Sequence, residues 1–150
     1  MDEGLKTLTV NERKFMEKTN EYLLLFQGKA WWNSLSAEEL QKVMDQVKAW
    51  FERLTGSGKL KAAQPLAREG AIISGRNGRV VADGPFAESK EVIGGYALVQ
   101  VNSLNEAIAI ARSCPTLEFD MQIEVRPVGE ECPMTKHARQ MLAEEQFAAA

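Results

Sequence analysis

Residues 20–28 read Asn-Glu-Tyr-Leu-Leu-Leu-Phe-Gln-Gly. Tyr22 to Phe26 form a continuous apolar run between two polar pairs, the pattern of a central strand buried on both faces. A loop with Trp31-Trp32-Asn33 follows, and then Ser36-Ala37-Glu38-Glu39 opens a helix. The Ser36 hydroxyl can accept from the amide of Glu39 while the Glu39 carboxylate reaches back, a capping box. Beyond it Leu40, Val43, Met44, Val47, Trp50, Phe51 and Leu54 fall on one stripe at helical spacing, which reads as core. Gly56 and Gly58 end the helix.

The next segment, Lys59 to Gln64, alternates as a strand does, and Pro65 confines it to an edge or an end. Ala71–Ser74 and Arg79–Ala82 are short β runs around Gly75-Arg76-Asn77-Gly78, and the Asn-Gly pair predicts a hairpin because both residues tolerate positive φ. Tyr96 to Val101 predicts another strand. Ser103-Leu104-Asn105-Glu106 repeats the capping box, with Leu104, Ala107, Ile108 and Ala111 expected on the inner face and Cys114-Pro115 as the stop. Met121, Ile123 and Val125 alternate with Gln122, Glu124 and Arg126 in a last core strand, and Thr135 to Phe147 predicts a terminal helix.

The order is β-α-β, a hairpin, then β-α-β. Two split βαβ units make an α+β, ferredoxin-like fold, an antiparallel sheet with helices on one face. One copy has nothing to bury the second face of the strand at 22–26, so a homodimer packed sheet to sheet with isologous contacts is expected. The organisation expected is an N-terminal appendage over 1–19, a domain over 20–128, and a C-terminal tail over 129–150.

Composition bounds the function. The chain has 150 residues, 45% of them hydrophobic and 26% charged, which suits one soluble globular domain. A net charge of -3 argues against direct nucleic-acid binding, which needs a concentrated basic surface. No apolar run approaches the roughly 18 residues of a membrane span, and Met1 to Val10 has no signal-peptide core, so a cytoplasmic location is expected. Two cysteines, Cys114 and Cys132, and one histidine, His137, are too few for a Cys/His zinc site. The thiols are expected to be idle rather than bridged. No metal, phosphate loop or nucleophilic triad is visible, and no cofactor is expected.

One stretch carries more polar chemistry than a connection needs. Residues 83–96 hold Asp83-Gly84-Pro85-Phe86, then Glu88, Lys90, Glu91, Gly94-Gly95 and Tyr96. Asp, Gly and Pro are turn formers, so a plain turn is one reading. The other is a pocket loop, in which a carboxylate fixed on a Gly-Pro turn serves as acid/base or receives a ligand. Asp83 is then the catalytic candidate, with Gly84, Pro85, Phe86, Glu88, Tyr96 and Arg126 as candidate ligand-binding residues. Arg126, on the face opposite Ile123 and Val125, can orient a carboxylate or pair with Asp83 or Glu88. Trp31 and Trp32 can stack on a ligand or pack the first turn of the helix.

This chain resembles the YCII-related, DGPF-domain family. The resemblance rests on Glu21–Phe26, Gly58-Lys59-Leu60, Ala63-Gln64-Pro65-Leu66, the string Asp83–Glu91, Gly94-Gly95-Tyr96 and Ile123–Val128, in that order. It implies a ferredoxin-like dimeric α+β barrel with a small-molecule cleft. It also implies a link of family members with extracytoplasmic-function sigma factors, and hence an alternative role as a non-catalytic regulatory or partner-binding module. The better-studied branch uses a His-Asp pair. No histidine stands in the matching region here, so that pair is not carried over and Asp83 alone remains as the acid. Phe119-Asp120-Met121 replaces the usual glycine-containing segment before the last strand.

Overall fold

The structure, a computed structural model, describes residues 20–83 and 91–149. Glu21–Pro127 is one compact unit, and a C-terminal helix, Pro133–Ala149, belongs to another. Inside the larger unit the elements run β1 (Glu21–Gly28), α1 (Ala37–Gly56), β2 (Leu60–Pro65), β3 (Ala71–Ser74), β4 (Val80–Asp83), β5 (Val92–Gln100), α2 (Leu104–Arg112) and β6 (Gln122–Pro127). The C-terminal helix is α3.

Four strands form one sheet in the order β2-β5-β1-β6, with every neighbouring pair antiparallel. The split βαβ arrangement of the ferredoxin-like fold follows from that order, because β5 lies between β1 and β2 and β1 between β5 and β6. β2 is an edge strand and ends at Pro65, where a missing amide costs no ladder bond. β3 and β4 make a separate two-stranded ribbon. Its turn holds Asn77 at φ 63° and Gly78 at φ 67°, the left-handed region that an Asn-Gly pair enters at little cost.

Both helices start as their caps require. Ser36 Oγ accepts from the Glu39 amide at 3.1 Å, and Ser103 Oγ accepts from the Glu106 amide at 3.2 Å. The Glu106 carboxylate reaches back to the amide of Asn102 rather than that of Ser103, at 3.2 Å.

The core lies between one sheet face and the helices. Tyr22, Leu24, Ala97 and Val99 enter it from the sheet, Trp50 and Leu54 from α1, and Ala107 and Ala111 from α2. Trp50 is its anchor. The ring meets Phe26 and Phe51 edge to face, with centroids 6.3 and 4.9 Å away. Its Nε1–H donates to Ser113 Oγ at 2.8 Å, and that hydroxyl donates onward to the Ile110 carbonyl at 2.7 Å. A buried indole thus keeps its polar atom satisfied while it joins α1 to the end of α2.

Two expectations need correction, at the start of β5 and on the inner face of α2. The strand expected at Tyr96 begins at Val92, because Gly95, Ile93 and Val92 pair with Phe26, Gln27 and Gly28 across a register shift. Gly94 and Gly95 are therefore strand residues, and a Cβ on Gly95 would meet the Gln64 carbonyl oxygen at 3.0 Å. The inner face of α2 is turned from the expected one: Leu104 and Ile108 are exposed, while Ala107, Ile110 and Ala111 pack inward. Alanines there let the helix lie close to the sheet, which a leucine would prop away. In β1, Tyr22 and Leu24 are buried on the helix side, whereas Leu23 and Leu25 on the other face are only half-buried in the single chain.

Candidate functional site

A concavity of the larger unit opens beside this core. A cavity of about 740 Å³ lies under the first half of α1, walled below by the ends of β1 and β5. Pockets of this size suit drug-sized ligands. Leu40, Val43, Met44, Val47 and Phe51 of α1 line it, although their stripe reads as core in the sequence. Only Val43 of these five is fully buried, and Met44 is 55% exposed. Trp50 and Leu54 of the stripe are buried in the core, whereas the other five side chains, from Leu40 to Phe51, wall the cavity.

The tryptophan pair completes one side. Residues Trp31–Ser34 form a single 3-10 turn, closed by Ser34 Oγ donating to the Trp31 carbonyl at 2.9 Å. Trp31 stacks on Phe119, with ring centroids 4.7 Å apart and planes 13° from parallel, and Trp32 stands edge-on to Trp31. Trp31 is thus fixed by packing, and Trp32 presents a half-open indole to the cavity; both line it. Met121 lines it too, packed close against Gly28.

Polar groups reach this apolar space from separate parts of the chain. Lys29 follows β1, Lys48 stands on α1, and Arg68 lies between β2 and β3; all three line the cavity. Gln64 and Thr116 add neutral polar atoms. Thr116 is buried, its hydroxyl 3.1 Å from the Sγ of Cys114, which is a free and buried thiol. Cys132 is free and exposed. Among the described residues no three His, Cys, Asp or Glu side chains gather where a metal ion could be held.

The residues singled out by sequence are divided by the structure. Tyr96 contributes to the cavity lining, as do Gly94 and Gly95. Asp83 is exposed at the last position of β4, paired in register with Ala71, and is not among the described lining residues. Gly84, Pro85, Phe86 and Glu88 lie outside the described residues. Arg126 is on β6, exposed, with its Nε 3.9 Å from Glu124 on the same strand. An exposed pair of that length contributes little stability. Sequence reasoning assigned the lining stripe of α1 to the core, left the tryptophan turn between ligand stacking and packing, and did not single out the three cations. The one local signal for them was the Trp31-Trp32 pair.

The open face of the sheet has its own pattern. Register places Leu23 beside Leu98 on one side and Arg126 on the other, and Leu25 between Tyr96 and Glu124. Ala62 and Gln64 continue these rows on β2. The apolar centre is rimmed by polar contacts: Lys61 pairs with Glu21 at 3.5 Å, and Gln27 Nε2 donates to Glu124 at 3.2 Å.

The model of the YCII-related domain matches residues 20–132, and the chain belongs to that family. It is also similar to an uncharacterised protein of Rhizobium meliloti (strain 1021), 31% identical over 111 residues, which are 71% of this chain and 90% of the relative. Among the described residues no helix is long and apolar enough to cross a membrane.

Proposed function

We propose that this YCII-related domain is a homodimeric small-molecule-binding protein whose ligand site is the cavity under the first half of α1. The observation that carries the reading is the open half of the α1 stripe. Apolar side chains that would close onto a core instead leave room for a ligand, beside aromatic rings and a few polar groups. A thermal-shift screen of small metabolites tests it. Hits should stabilise the wild type and lose that effect in Met44→Trp, which fills the space from an exposed position. Hits that stabilise both proteins equally would place the ligand elsewhere.

Asp83 is the acid/base of this proposal if the bound molecule is transformed. Its support is the sequence around it, Asp83-Gly84-Pro85-Phe86 with Glu88 close by, in which a carboxylate can serve as acid/base. Asp83→Asn should then abolish turnover of a hit and keep its binding. Retained turnover removes Asp83 from the chemistry.

The homodimer is proposed from the open sheet face. Its half-buried Leu23, Leu25 and Leu98 within a polar rim resemble the centre and edge of an isologous interface. Leu98→Arg should convert a dimer to a monomer in light scattering. A wild type that is monomeric at all concentrations would refute the arrangement.

A further inference from the structure

The lining of the cavity points to the class of molecule it receives, an inference that rests on the cavity being the ligand site. Its most enclosed residues are Gly28, Val43, Gly95, Cys114 and Thr116, all buried and all uncharged. The two polar side chains among them are paired with each other, the Cys114 Sγ 3.1 Å from the Thr116 hydroxyl. A guest rich in donors and acceptors would lose its water against this wall and find few partners in exchange, which is costly. Of the cations at the lining, Lys29 and Lys48 are exposed, Lys48 paired with Glu52, and Arg68 is half-buried; none of them is needed to hold an apolar guest.

Aromatic surface separates this cavity from an aliphatic one. Phe26, Trp31, Trp32, Phe51 and Tyr96 all line it. Trp31 is clamped by its stack on Phe119, and Trp32 stands edge-on to Trp31 with its indole half-open. Rings already held by packing meet a guest ring with little freedom left to lose, and edge-to-face or offset contacts add to what burial alone supplies. Met44 on the helix and Met121 just before β6 bring polarisable sulfur to opposite walls, which favours a ring over saturated carbon. The floor leaves room for a flat body. β5 passes over Gly94 in its pairing with β1, and a Cβ there would meet nothing within 4 Å among the described residues. A glycine at such a bulge lets a ligand approach the backbone closely.

We infer that the cavity binds flat, weakly polar aromatic molecules, the ring system lying between Met44 and Met121, beside the Trp31-Trp32 turn and over the bare backbone at Gly94. Ring shape and polarisability select the guest, and its polar substituents stay toward the open side.

Isothermal titration calorimetry with three neutral bicyclic probes tests this: 2-naphthol, its saturated counterpart decahydro-2-naphthol, and hypoxanthine, which is flat but edged with donors and acceptors. 2-Naphthol should bind about ten-fold more tightly than the saturated alcohol, and hypoxanthine more weakly than either. Trp32→Leu, a change at a half-open ring, should bring 2-naphthol close to the saturated alcohol and leave the affinity of that alcohol as it was. A saturated alcohol as tight as 2-naphthol, with both lost in Met44→Trp, would overturn the aromatic preference while the cavity remained a ligand site. Hypoxanthine as tight as 2-naphthol, again lost in Met44→Trp, would overturn the weakly polar character. A 2-naphthol preference undiminished in Trp32→Leu, or no binding of 2-naphthol at all, would also overturn the assignment. Binding of any probe that is unaffected by Met44→Trp would remove both the assignment and the cavity reading beneath it.

Discussion

In its second half α1 sets Trp50 and Leu54 against β1, β5 and α2, where both are buried. In its first half the same stripe sets Leu40, Met44 and Val47 over a cavity, where Met44 is more than half exposed. The two halves share one helical phase and one kind of side chain. They differ in what lies opposite. Trp50 meets filled space made by Phe26, Phe51 and the small residues of α2, whereas Met44 and Val47 face the ends of strands and the tryptophan turn. Amphipathicity decides which side of a helix faces inward. It does not decide whether the space inside is occupied.

The contrast can be broken from either end. Trp50→Ala should have the largest effect, a loss of about 3–5 kcal/mol in urea unfolding, since it empties a packed site and leaves Ser113 without its indole donor. A loss below about 1 kcal/mol would mean that the second half of α1 is as loosely packed as the first. Ser36→Ala should cost about 1 kcal/mol by removing the cap on the Glu39 amide. Because the first turns of α1 roof the cavity, this variant should also weaken ligand binding, and a change in stability alone would separate the cap from the site. Met44→Ala should shift stability by no more than about 0.5 kcal/mol, as at an exposed position, and still alter ligand affinity. A core-sized destabilisation there would erase the difference between the halves.

Much of this architecture was legible in the sequence because it is written locally. Ser36 and Ser103 cap where a hydroxyl stands three residues before a glutamate, the Asn77-Gly78 turn lies where left-handed backbone is easiest, and Tyr22–Phe26 is a central strand. The faces were less legible. Leu104 and Ile108 share a plausible apolar line with Ala107 and Ala111, yet only the close approach of α2 to the sheet decides that the alanines go inside. Val92 to Gly95 look like loop residues until Phe26, Gln27 and Gly28 supply their partners. The candidate site was the least legible part. Lys29, Lys48 and Arg68 are each unremarkable charges in the chain, and their meeting at one cavity depends on the whole β1-α1-β2 unit. Tyr96 was singled out because its glycine neighbours are unusual, and it lies beside the cavity, whereas Met44 was hidden by fitting a core pattern too well.

Methionine methyl NMR offers the most direct test of the cavity under α1, since Met44 and Met121 line it from opposite walls, helix above and strand end below. In protein labelled with ¹³C at the methionine methyls, titration with a hit of the metabolite screen should shift the Met44 and Met121 resonances together, along one saturating curve. Saturable binding that leaves both methyls unmoved would contradict the account, because the ligand would then sit somewhere other than beneath the first half of α1.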